Sequence, residues 1–275
     1  MTDYFKRAYK GKEQSLTKVL QSLFCDLQYN ELMKLLRKKD VFVNGKRVSS
    51  DILIKDGDSL ELYYQPSQIS VREIYSDDNI LVVFKNKGMI SDGDYSFEGL
   101  MKYKYGDNCE LMHRLDTNTE GLLMFSRNKK AYNELRQAMK DEKIDKYYYA
   151  KVNGKVKDKE KILQGYLKKD SAKGMVKVYD KPVEGADYVE AYIKTLSYEG
   201  ETTQLEVRIS GGKTHQIRAQ LAHYGHFIIG DGKYGNDEIN RRNNTKKQQL
   251  TAYKLVFKLD NSSFLSYLNN KNIEI

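Results

Sequence analysis

The chain has 275 residues and a mass of 32.0 kDa, which suits one large domain or two smaller ones. Its 47 basic and 38 acidic residues leave a formal charge of +9 at pH 7, which indicates a polyanionic partner. The mean hydropathy is −0.71, and no apolar run approaches the ~20 residues that a membrane-spanning helix needs, so an integral membrane protein is excluded.

The first residues and the cysteines indicate a cytoplasmic protein. The opening MTDYFKRAYKGKEQ lacks the apolar core of a secretory signal peptide. Cys25 and Cys109 are too few for a disulfide framework, so we expect both to be reduced thiols. We therefore expect a cytoplasmic protein that has no membrane partner and acts as a monomer.

The positive charge is concentrated near the N-terminus. Residues 1–50 carry 11 basic and 5 acidic residues, whereas residues 51–275 carry 36 and 33. Within the first part, residues 32–47 read LMKLLRKKDVFVNGKR. Such a run is often only the solvated face of a helix. The alternative is a surface that contacts phosphates, and the local structure expected here favours it.

This basic run predicts a helix. Asn30 is expected to cap it, with Glu31 in its first turn. One stripe of the helix is apolar and consists of Leu32, Leu35 and Leu36. Another face carries the bases Lys34, Arg37 and Lys38. The helix is expected to end near Asp40.

A basic hairpin is predicted to follow this helix. Val41–Val43 alternates as a strand, Asn44-Gly45 is a strong tight-turn signal, and the returning strand carries Lys46 and Arg47. A basic helix beside a basic hairpin suits phosphate contact without readout of bases.

Residues 14–64 resemble the alpha-L RNA-binding module named after a ribosomal small-subunit protein. The matching features are a first helix at Leu16–Leu27, the basic helix, the VFVNGK turn, and a strand pair around Asp56–Asp58 and Leu60–Tyr64. Residues 65–70, which include Pro66, resemble a short linker. We therefore predict an RNA-binding domain at 1–64, a linker at 65–70 and a second domain at 71–275.

The second part alternates predicted strands, turns and helices. In chain order we predict two strands between Val71 and Phe84, strands at Leu111–Leu115 and Gly121–Phe125, a helix at Lys129–Lys140, and strands at Tyr147–Val152, Tyr188–Leu196 and Thr203–Ile209. Thr214 is expected to cap a short helix that Gly225 ends. The pattern predicts an α+β fold in which helices flank a mixed, mainly antiparallel central sheet.

The histidines raise the alternative of a metal site. They are His113, His215, His223 and His226. An HExxH motif and a cysteine pair are both absent, and His223 and His226 flank Gly225, so they need not share a helical face. Residues 211–214, GGKT, could hold a phosphate at a helix N-terminus, but their spacing is not that of a P-loop.

Residues 113–123, HRLDTNTEGLL, form the most specific motif of the chain. Taken by itself, Asp116 lies in a loop between two apolar strands, where Asp is an ordinary turn residue. The segment is similar to the HRLDxxTxGLL motif of RluA-type pseudouridine synthases. Further segments match that family in order: NILVVFKNKGM at 79–89, KYYYA at 146–150, GKTHQIR at 212–218, and GHFIIGD with KYG at 225–235.

This resemblance, which spans about residues 71–260, implies an isomerase (an intramolecular transferase) that converts uridine to pseudouridine in RNA and needs no cofactor or metal. Asp116 is implied as the essential carboxylate near C1′ of the target nucleotide. Arg218 is implied as its ion-pair partner, and Tyr148 as the ring that stacks on the flipped uracil.

RNA contacts are implied for a second set of residues. Arg114 resembles the residue that enters the space vacated by the flipped base, and Ile217 would supply an apolar wall. His113 belongs to the same motif as Arg114, and we expect it to contact RNA as well. In the N-terminal domain the expected RNA-binding residues are Lys34, Arg37, Lys38, Lys46 and Arg47.

Four positions depart from the family pattern: Asn86, Glu120, Lys213 and Phe227. Glu120 would add negative charge beside Asp116, and Lys213 replaces the bidentate arginine by a point charge. Asn86 and Phe227 stand where prolines are usual. We expect these departures to affect loop geometry and the choice of RNA.

Three functions follow from the sequence. The favoured one is a pseudouridine synthase acting on large-subunit ribosomal RNA, because an alpha-L module suggests a large structured RNA, with transfer RNA as the alternative substrate. The second is a non-catalytic RNA-binding factor for ribosome assembly on the same scaffold. The third is a hydrolase with a histidine-bound metal.

Overall fold

The structure is a computed structural model that describes residues 4–23, 29–63, 71–93, 96–170, 174–245 and 247–275. The predicted linker at 65–70 lies outside the described residues, as does the predicted end of the first helix at Leu27. Within the described part, no helix has both the length and the apolar character needed to span a membrane.

The described strands and helices follow one another along the chain. The strands are β1 (Tyr4–Ala8), β2 (Gln14–Ser15), β3 (Val41–Val43), β4 (Lys46–Val48), β5 (Leu53–Ile54), β6 (Ser59–Tyr63), β7 (Glu73–Ser76), β8 (Ile80–Lys85), β9 (Glu110–Leu111), β10 (Glu120–Ser126), β11 (Ile144–Asn153), β12 (Glu160–Asp170), β13 (Met175–Tyr179), β14 (Asp187–Glu199), β15 (Thr202–Ile209), β16 (Leu250–Phe257) and β17 (Ile273–Glu274). The helices are α1 (Leu16–Leu23), α2 (Tyr29–Lys38), α3 (Phe97–Tyr105), α4 (Lys129–Lys140), α5 (Gln216–His223) and α6 (Asp237–Arg242), with a 3₁₀ helix at Ser266–Asn270.

The N-terminal part contains a four-stranded sheet in the order β1-β6-β3-β4 beside α1 and α2. The apolar stripe of α2 is buried at Leu32 and Leu36, as its spacing predicts. The predicted hairpin is present, with positive φ at Asn44 (53°) and Gly45 (72°), as a type I′ turn requires.

Three details of this part differ from the prediction. The helix already includes Tyr29, so Asn30 lies inside it and is not its cap. β5 and β6 flank Asp56–Asp58 but do not pair with each other, because β5 pairs with β2 while β6 lies between β1 and β3. The strands β1 and β2 were not predicted at all.

The second part is built on an eleven-stranded sheet. The main path runs β13-β12-β14-β15-β11-β16-β10-β8-β7, with β9 beside β10 and β17 beside β16. Neighbouring strands are antiparallel except β10 and β16, which are parallel. The predicted α+β class with a mixed, mainly antiparallel sheet is therefore confirmed.

Alternating side chains divide the core into layers on the two faces of this sheet. On β10, Leu123 and Phe125 belong to the larger apolar cluster, whereas Leu122 and Met124 belong to a second cluster with α4. The larger cluster also takes in Leu16 of α1 and Met101 of α3, so a continuous apolar layer includes side chains from both parts of the chain.

Most predicted elements of the second part are present, and α4 has the predicted bounds. The predicted strand Leu111–Leu115 is wrong beyond Leu111, because the hydroxyl of Ser91 bonds both the N–H and the carbonyl of Leu115 in place of a strand partner. The predicted cap Thr214 is also wrong: it is exposed, and His215 occupies the N-cap position of α5. The helices α3 and α6, the strands β12, β13, β16 and β17, and the 3₁₀ helix were not predicted.

Candidate active site

A cleft of about 530 Å³ opens on the face of the large sheet that α5 covers. Most of its walls come from three distant segments: residues 112–119, the strand β11, and residues 209–218. Residues 139–142 and Leu250 complete the lining. All six residues of the second part that the resemblance singled out line it: His113, Arg114, Asp116, Tyr148, Ile217 and Arg218.

Asp116 lies in the irregular loop between β9 and β10. The loop is held by its backbone: Thr119 N–H bonds the carbonyl of Asp116 at 2.9 Å, and Gly88 N–H bonds that of Thr117 at 2.7 Å. The buried ammonium of Lys85 donates to the same carbonyl of Thr117 and to that of Met89. The carboxylate, with 19% of its side chain exposed, is thus presented to the cleft by a rigid loop.

Arg218 of α5 joins two carboxylates. Its Nη1 donates to Asp116 at 2.7 Å, while Nε and Nη2 donate to Asp231 at 2.7 and 2.8 Å. Burial opposes the charged guanidinium, but the hydrogen bonds and charge of Asp231, followed by those of Asp116, outweigh it and raise the pKa of Arg218. The predicted ion pair is therefore present in the geometry, with a second acid behind it.

Asp231 belongs to one of the matching segments, but no role was predicted for it from the sequence. Its side chain is fully buried, and it also accepts the N–H groups of Lys233 and Tyr234. Burial by itself would raise the pKa of Asp231, yet the hydrogen bonds and charge of Arg218 lower it, so the carboxylate stays ionised. Its position at the end of the GHFIIGD segment was the only signal, and it did not show which residue Asp231 contacts.

Tyr148 faces the cleft because side chains alternate along β11. It is 5% exposed, and burial, followed by the nearby charge of Asp116, raises its pKa, so its phenol is uncharged. Its neighbour Tyr149 points to the opposite face, is 38% exposed and stacks on Tyr253 at 3.9 Å between ring centroids. Of the tyrosines in KYYYA, Tyr148 is thus the one that can meet a base in the cleft. Ile217 adds a buried apolar wall.

His113 is an uncharged group of the cleft. Its Nε2 accepts the N–H of Met124 at 3.3 Å, and burial, followed by the charge of Lys146, lowers its pKa to about 3. Lys146 also lines the cleft, and the sequence assigned it no role. Its ammonium donates to the carbonyl of Ser210 at 2.9 Å, and burial lowers its pKa to about 8.

The remaining predicted RNA-binding side chains are exposed. Arg114 lies at the edge of the cleft, 58% exposed, with Nη1 3.0 Å from Asp92. The five N-terminal bases Lys34, Arg37, Lys38, Lys46 and Arg47 are all exposed on α2 and β4 or beside them. Arg47 lies over the ring of Phe42 at 5.4 Å, a cation–π contact that leaves its charge accessible.

The histidines are distributed over separate contacts. His113 and His215 line the cleft, His223 contacts Asp180 at 2.8 Å, and His226 contacts the carbonyl of Asn153 at 2.8 Å. Within the described ranges, no three His, Cys, Asp or Glu side chains are placed to hold a metal ion.

Two of the departures from the family pattern carry local partners. Glu120 pairs with Lys87 at 3.1 Å and accepts the hydroxyl of Thr251, so its negative charge beside Asp116 is compensated. Lys213 pairs with Asp187 at 2.9 Å at the edge of the cleft. The backbone carbonyl of Asn86 accepts a hydrogen bond from the ammonium of Lys85. The backbone carbonyl of Phe227 accepts one from the N–H of Asn153.

A protein-family model and several known proteins match this chain. The family model described as RNA pseudouridylate synthase matches residues 79–223, just over half of the chain. The chain belongs to this family. The matched segment contains Asp116, Tyr148 and Arg218, whereas the N-terminal part lies outside it.

Three curated relatives illustrate the similarity. An uncharacterised RNA pseudouridine synthase of Mycoplasma genitalium is 33% identical over 70% of this chain and 65% of its own length. The mitochondrial tRNA pseudouridine(32) synthase of Saccharomyces cerevisiae is 27% identical over 91% of this chain and 57% of its own. The chain thus spans less than two thirds of the length of each of these two relatives. A ribosomal large subunit pseudouridine synthase C of Rickettsia bellii is 29% identical over 82% and 83%.

Among solved structures, the chain is similar to human RNA pseudouridylate synthase domain containing 1. The TM-score is 0.61 at 20% identity, covering 75% of this chain and 82% of that one. This likeness supports the assignment of the fold.

Proposed function

We propose that the chain is an RNA pseudouridine synthase, an isomerase that acts on specific uridines of large-subunit ribosomal RNA. The observation that carries this proposal is the Asp116–Arg218 ion pair of 2.7 Å in the cleft, with Tyr148 among the lining residues. The guanidinium holds this carboxylate in a fixed position and balances its negative charge.

The reaction needs few groups. The N1–C1′ bond of uridine breaks, the uracil turns, and C5 bonds to C1′; the proton on C5 is lost and N1 gains one, so the product is an isomer of the substrate. Asp116 acts at the sugar or the base, and Arg218 holds it in place. Tyr148 stacks on the flipped uracil against Ile217, which repays part of the few kcal/mol needed to unstack a base.

The RNA is held, in this proposal, by two further surfaces. Arg114 leaves Asp92 and enters the space vacated by the base, and His113 contributes an uncharged wall. Residues 1–64 form an alpha-L domain, joined by the linker 65–70 to the catalytic domain 71–275, and its exposed bases contact phosphates. The protein works as a cytoplasmic monomer.

The choice of ribosomal RNA is supported by relatives named ribosomal large subunit pseudouridine synthase C. Transfer RNA is the second candidate, because a relative named tRNA pseudouridine(32) synthase aligns with 91% of this chain. Mapping pseudouridines in total RNA from cells with and without the protein separates them. Sites lost only from large-subunit rRNA support the first, and sites lost only from tRNA support the second.

The activity itself is tested by release of tritium from C5-labelled uridine in cellular RNA. We expect release by the wild type and a fall of at least ~10³-fold with Asp116→Asn, which keeps the shape and removes the charge. Asp260→Asn is the matched control, because the Asp260 side chain is 77% exposed and its carboxylate pairs with the surface residue Lys143 at 3.5 Å. No release by the wild type from any RNA would reject the synthase and favour a non-catalytic RNA-binding protein.

A further inference from the structure

His215 has a backbone conformation and a ring contact that the proposed function leaves unused. It occupies the N-cap position of α5 with φ 55°, a left-handed conformation that is uncommon for a residue other than glycine. Its Nδ1 lies 3.0 Å from the hydroxyl of Tyr234, and the two rings meet edge to face at 5.6 Å and 82°. The ring is therefore held in one orientation at the wall of the cleft.

The hydroxyl of Tyr234 indicates which ring nitrogen of His215 carries the proton. This oxygen accepts the backbone N–H of Val176 at 2.8 Å, so its own proton needs an acceptor. Within the part of the chain that the structure describes, Nδ1 of His215 is the acceptor at hand. A hydroxyl that donates to Nδ1 leaves that nitrogen unprotonated and places the proton of the neutral ring on Nε2.

The Nε2–H group is free to meet a ligand. Among the described residues it has no hydrogen-bond partner, and His215 lines the cleft together with Asp116 and Arg218. The neutral state is favoured: burial, and then the charges of Arg218 and Lys233, lower the pKa of His215 against the opposing effects of Asp116 and Asp231. The cleft therefore contains an uncharged N–H donor of fixed direction.

We propose that His215 is a catalytic residue that donates Nε2–H to a carbonyl oxygen of the flipped uracil, and that Tyr234 is the positioning residue that fixes this tautomer. The proposal rests on the proposed function. When the N1–C1′ bond breaks, N1 keeps the bonding electron pair, and the negative charge spreads over the base to O2 and O4. A neutral donor stabilises that charge without protonating the base.

Arg218 is less suited to this task. Three of its N–H groups are engaged by Asp116 and Asp231, and its guanidinium lies 5.2 Å from the ring of Tyr234. Tyr234 also donates its backbone N–H to Asp231 at 3.2 Å. One short turn, from Asp231 to Gly235, thus orients both the arginine and the histidine of the cleft.

The first test compares His215→Ala with His215→Gln in the 275-residue chain. Both carry a Cβ at the same positive φ, so they share any backbone strain and differ in the N–H donor. We expect the single-turnover rate of tritium release at saturating RNA to fall about 10²-fold in the alanine variant. Glutamine should recover at least ~10-fold of this, with RNA affinity unchanged within about 3-fold in both.

The second test reads the tautomer directly by ¹⁵N NMR of the histidine rings, with the His215→Ala spectrum identifying the signals. We expect His215 to be the Nε2–H tautomer in the wild type and a mixture of tautomers in Tyr234→Phe, whose rate should fall less than that of His215→Ala. A dominant Nδ1–H tautomer in the wild type would overturn the proposal.

The outcomes separate this proposal from the one on which it rests. An active wild type whose rate survives His215→Ala would overturn the role of His215 alone. A fall in RNA affinity with an unchanged rate would also overturn it, in favour of a phosphate contact. A wild type inactive on every RNA would overturn the proposed function and the role of His215 together.

Discussion

The two parts of the chain use positive charge in opposite ways. In the N-terminal part, five bases around α2 and β4 project into solvent. In the cleft, Arg218 is 6% exposed, and its guanidinium is bonded on three nitrogens by two carboxylates. Exposed charges are screened and act nearly independently, whereas a buried charge depends on its partners because it has lost its water. The exposed bases of the N-terminal part suit the binding of a polyanion. The buried arginine suits holding one carboxylate in a fixed position.

The largest expected effect is at Arg218. Arg218→Met should lower the free energy of unfolding by about 3–5 kcal/mol, because it leaves the fully buried Asp231 without its partner. It should also abolish tritium release, because Asp116 loses its ion pair. Urea unfolding measures the first effect.

A double variant provides the control for this prediction. Adding Asp231→Asn to Arg218→Met removes the buried carboxylate that has lost its partner. The double variant should recover part of the lost stability, while activity stays absent. If the single variant lost less than about 1 kcal/mol of unfolding free energy, water would reach Asp231. The ion pair in the cleft would then contribute no more to stability than one on the surface.

An intermediate effect is expected at His113, where burial makes stability depend on pH. The pKa of His113 falls from 6.5 to about 3 in the folded chain, so below pH 6.5 the unfolded chain binds a proton that the folded chain does not. Stability should therefore decrease as the pH falls from about 6.5 to about 3, by up to ~1.4 kcal/mol per pH unit from this group.

His113→Gln should remove this contribution. We would measure urea unfolding of both proteins between pH 6.5 and pH 4.5. Carboxylates titrate in both, so the difference between the two slopes isolates His113. Equal slopes would show that the imidazole is hydrated in the folded state.

The smallest effect on stability is expected in the N-terminal part. Replacing Lys34, Arg37 and Lys38 together by glutamine should change the free energy of unfolding by no more than about 0.5 kcal/mol, because all three are exposed. RNA affinity should fall, and the slope of log affinity against log salt should flatten by about 0.7–0.9 for each phosphate that the variant no longer neutralises.

The rate at saturating RNA tests whether the two regions are separable. We expect the triple variant to reach the wild-type rate once RNA is saturating, because none of its three positions lines the cleft. An unchanged salt slope would show that the basic helix is only a solvated face. A lowered saturating rate would show that the N-terminal part also shapes the catalytic step.

Short-range patterns predicted most local elements correctly. The stripe of α2, the Asn44-Gly45 hairpin and the bounds of α4 depend on neighbours within a few residues, so periodicity and turn chemistry suffice. The errors arose where a distant group satisfied the backbone. Leu115 is bonded by the side chain of Ser91, and β5 pairs with β2 instead of β6.

The main residues of the candidate site were predicted, but the hydrogen bonds and ion pairs that connect them were not. The resemblance named Asp116, Arg218 and Tyr148, and the structure places all three at one cleft. It assigned no role to Asp231, Tyr234, His215 or Lys146. Their importance depends on which atoms face them: both oxygens of Asp231 meet Arg218, and the hydroxyl of Tyr234 meets Nδ1 of His215.

The sequence by itself determined the family, the reaction that we propose and the concentration of exposed charge near the N-terminus, because motifs and composition are properties of the linear chain. Only the tertiary structure decided how the reactive groups are held. Asp116 and Arg218 are 102 residues apart, and they meet because α5 packs on β12, β13 and β14 of the same sheet whose strands β9 and β10 flank the Asp116 loop. The same packing buries Asp231 behind the arginine, and burial makes a charge depend on its partner.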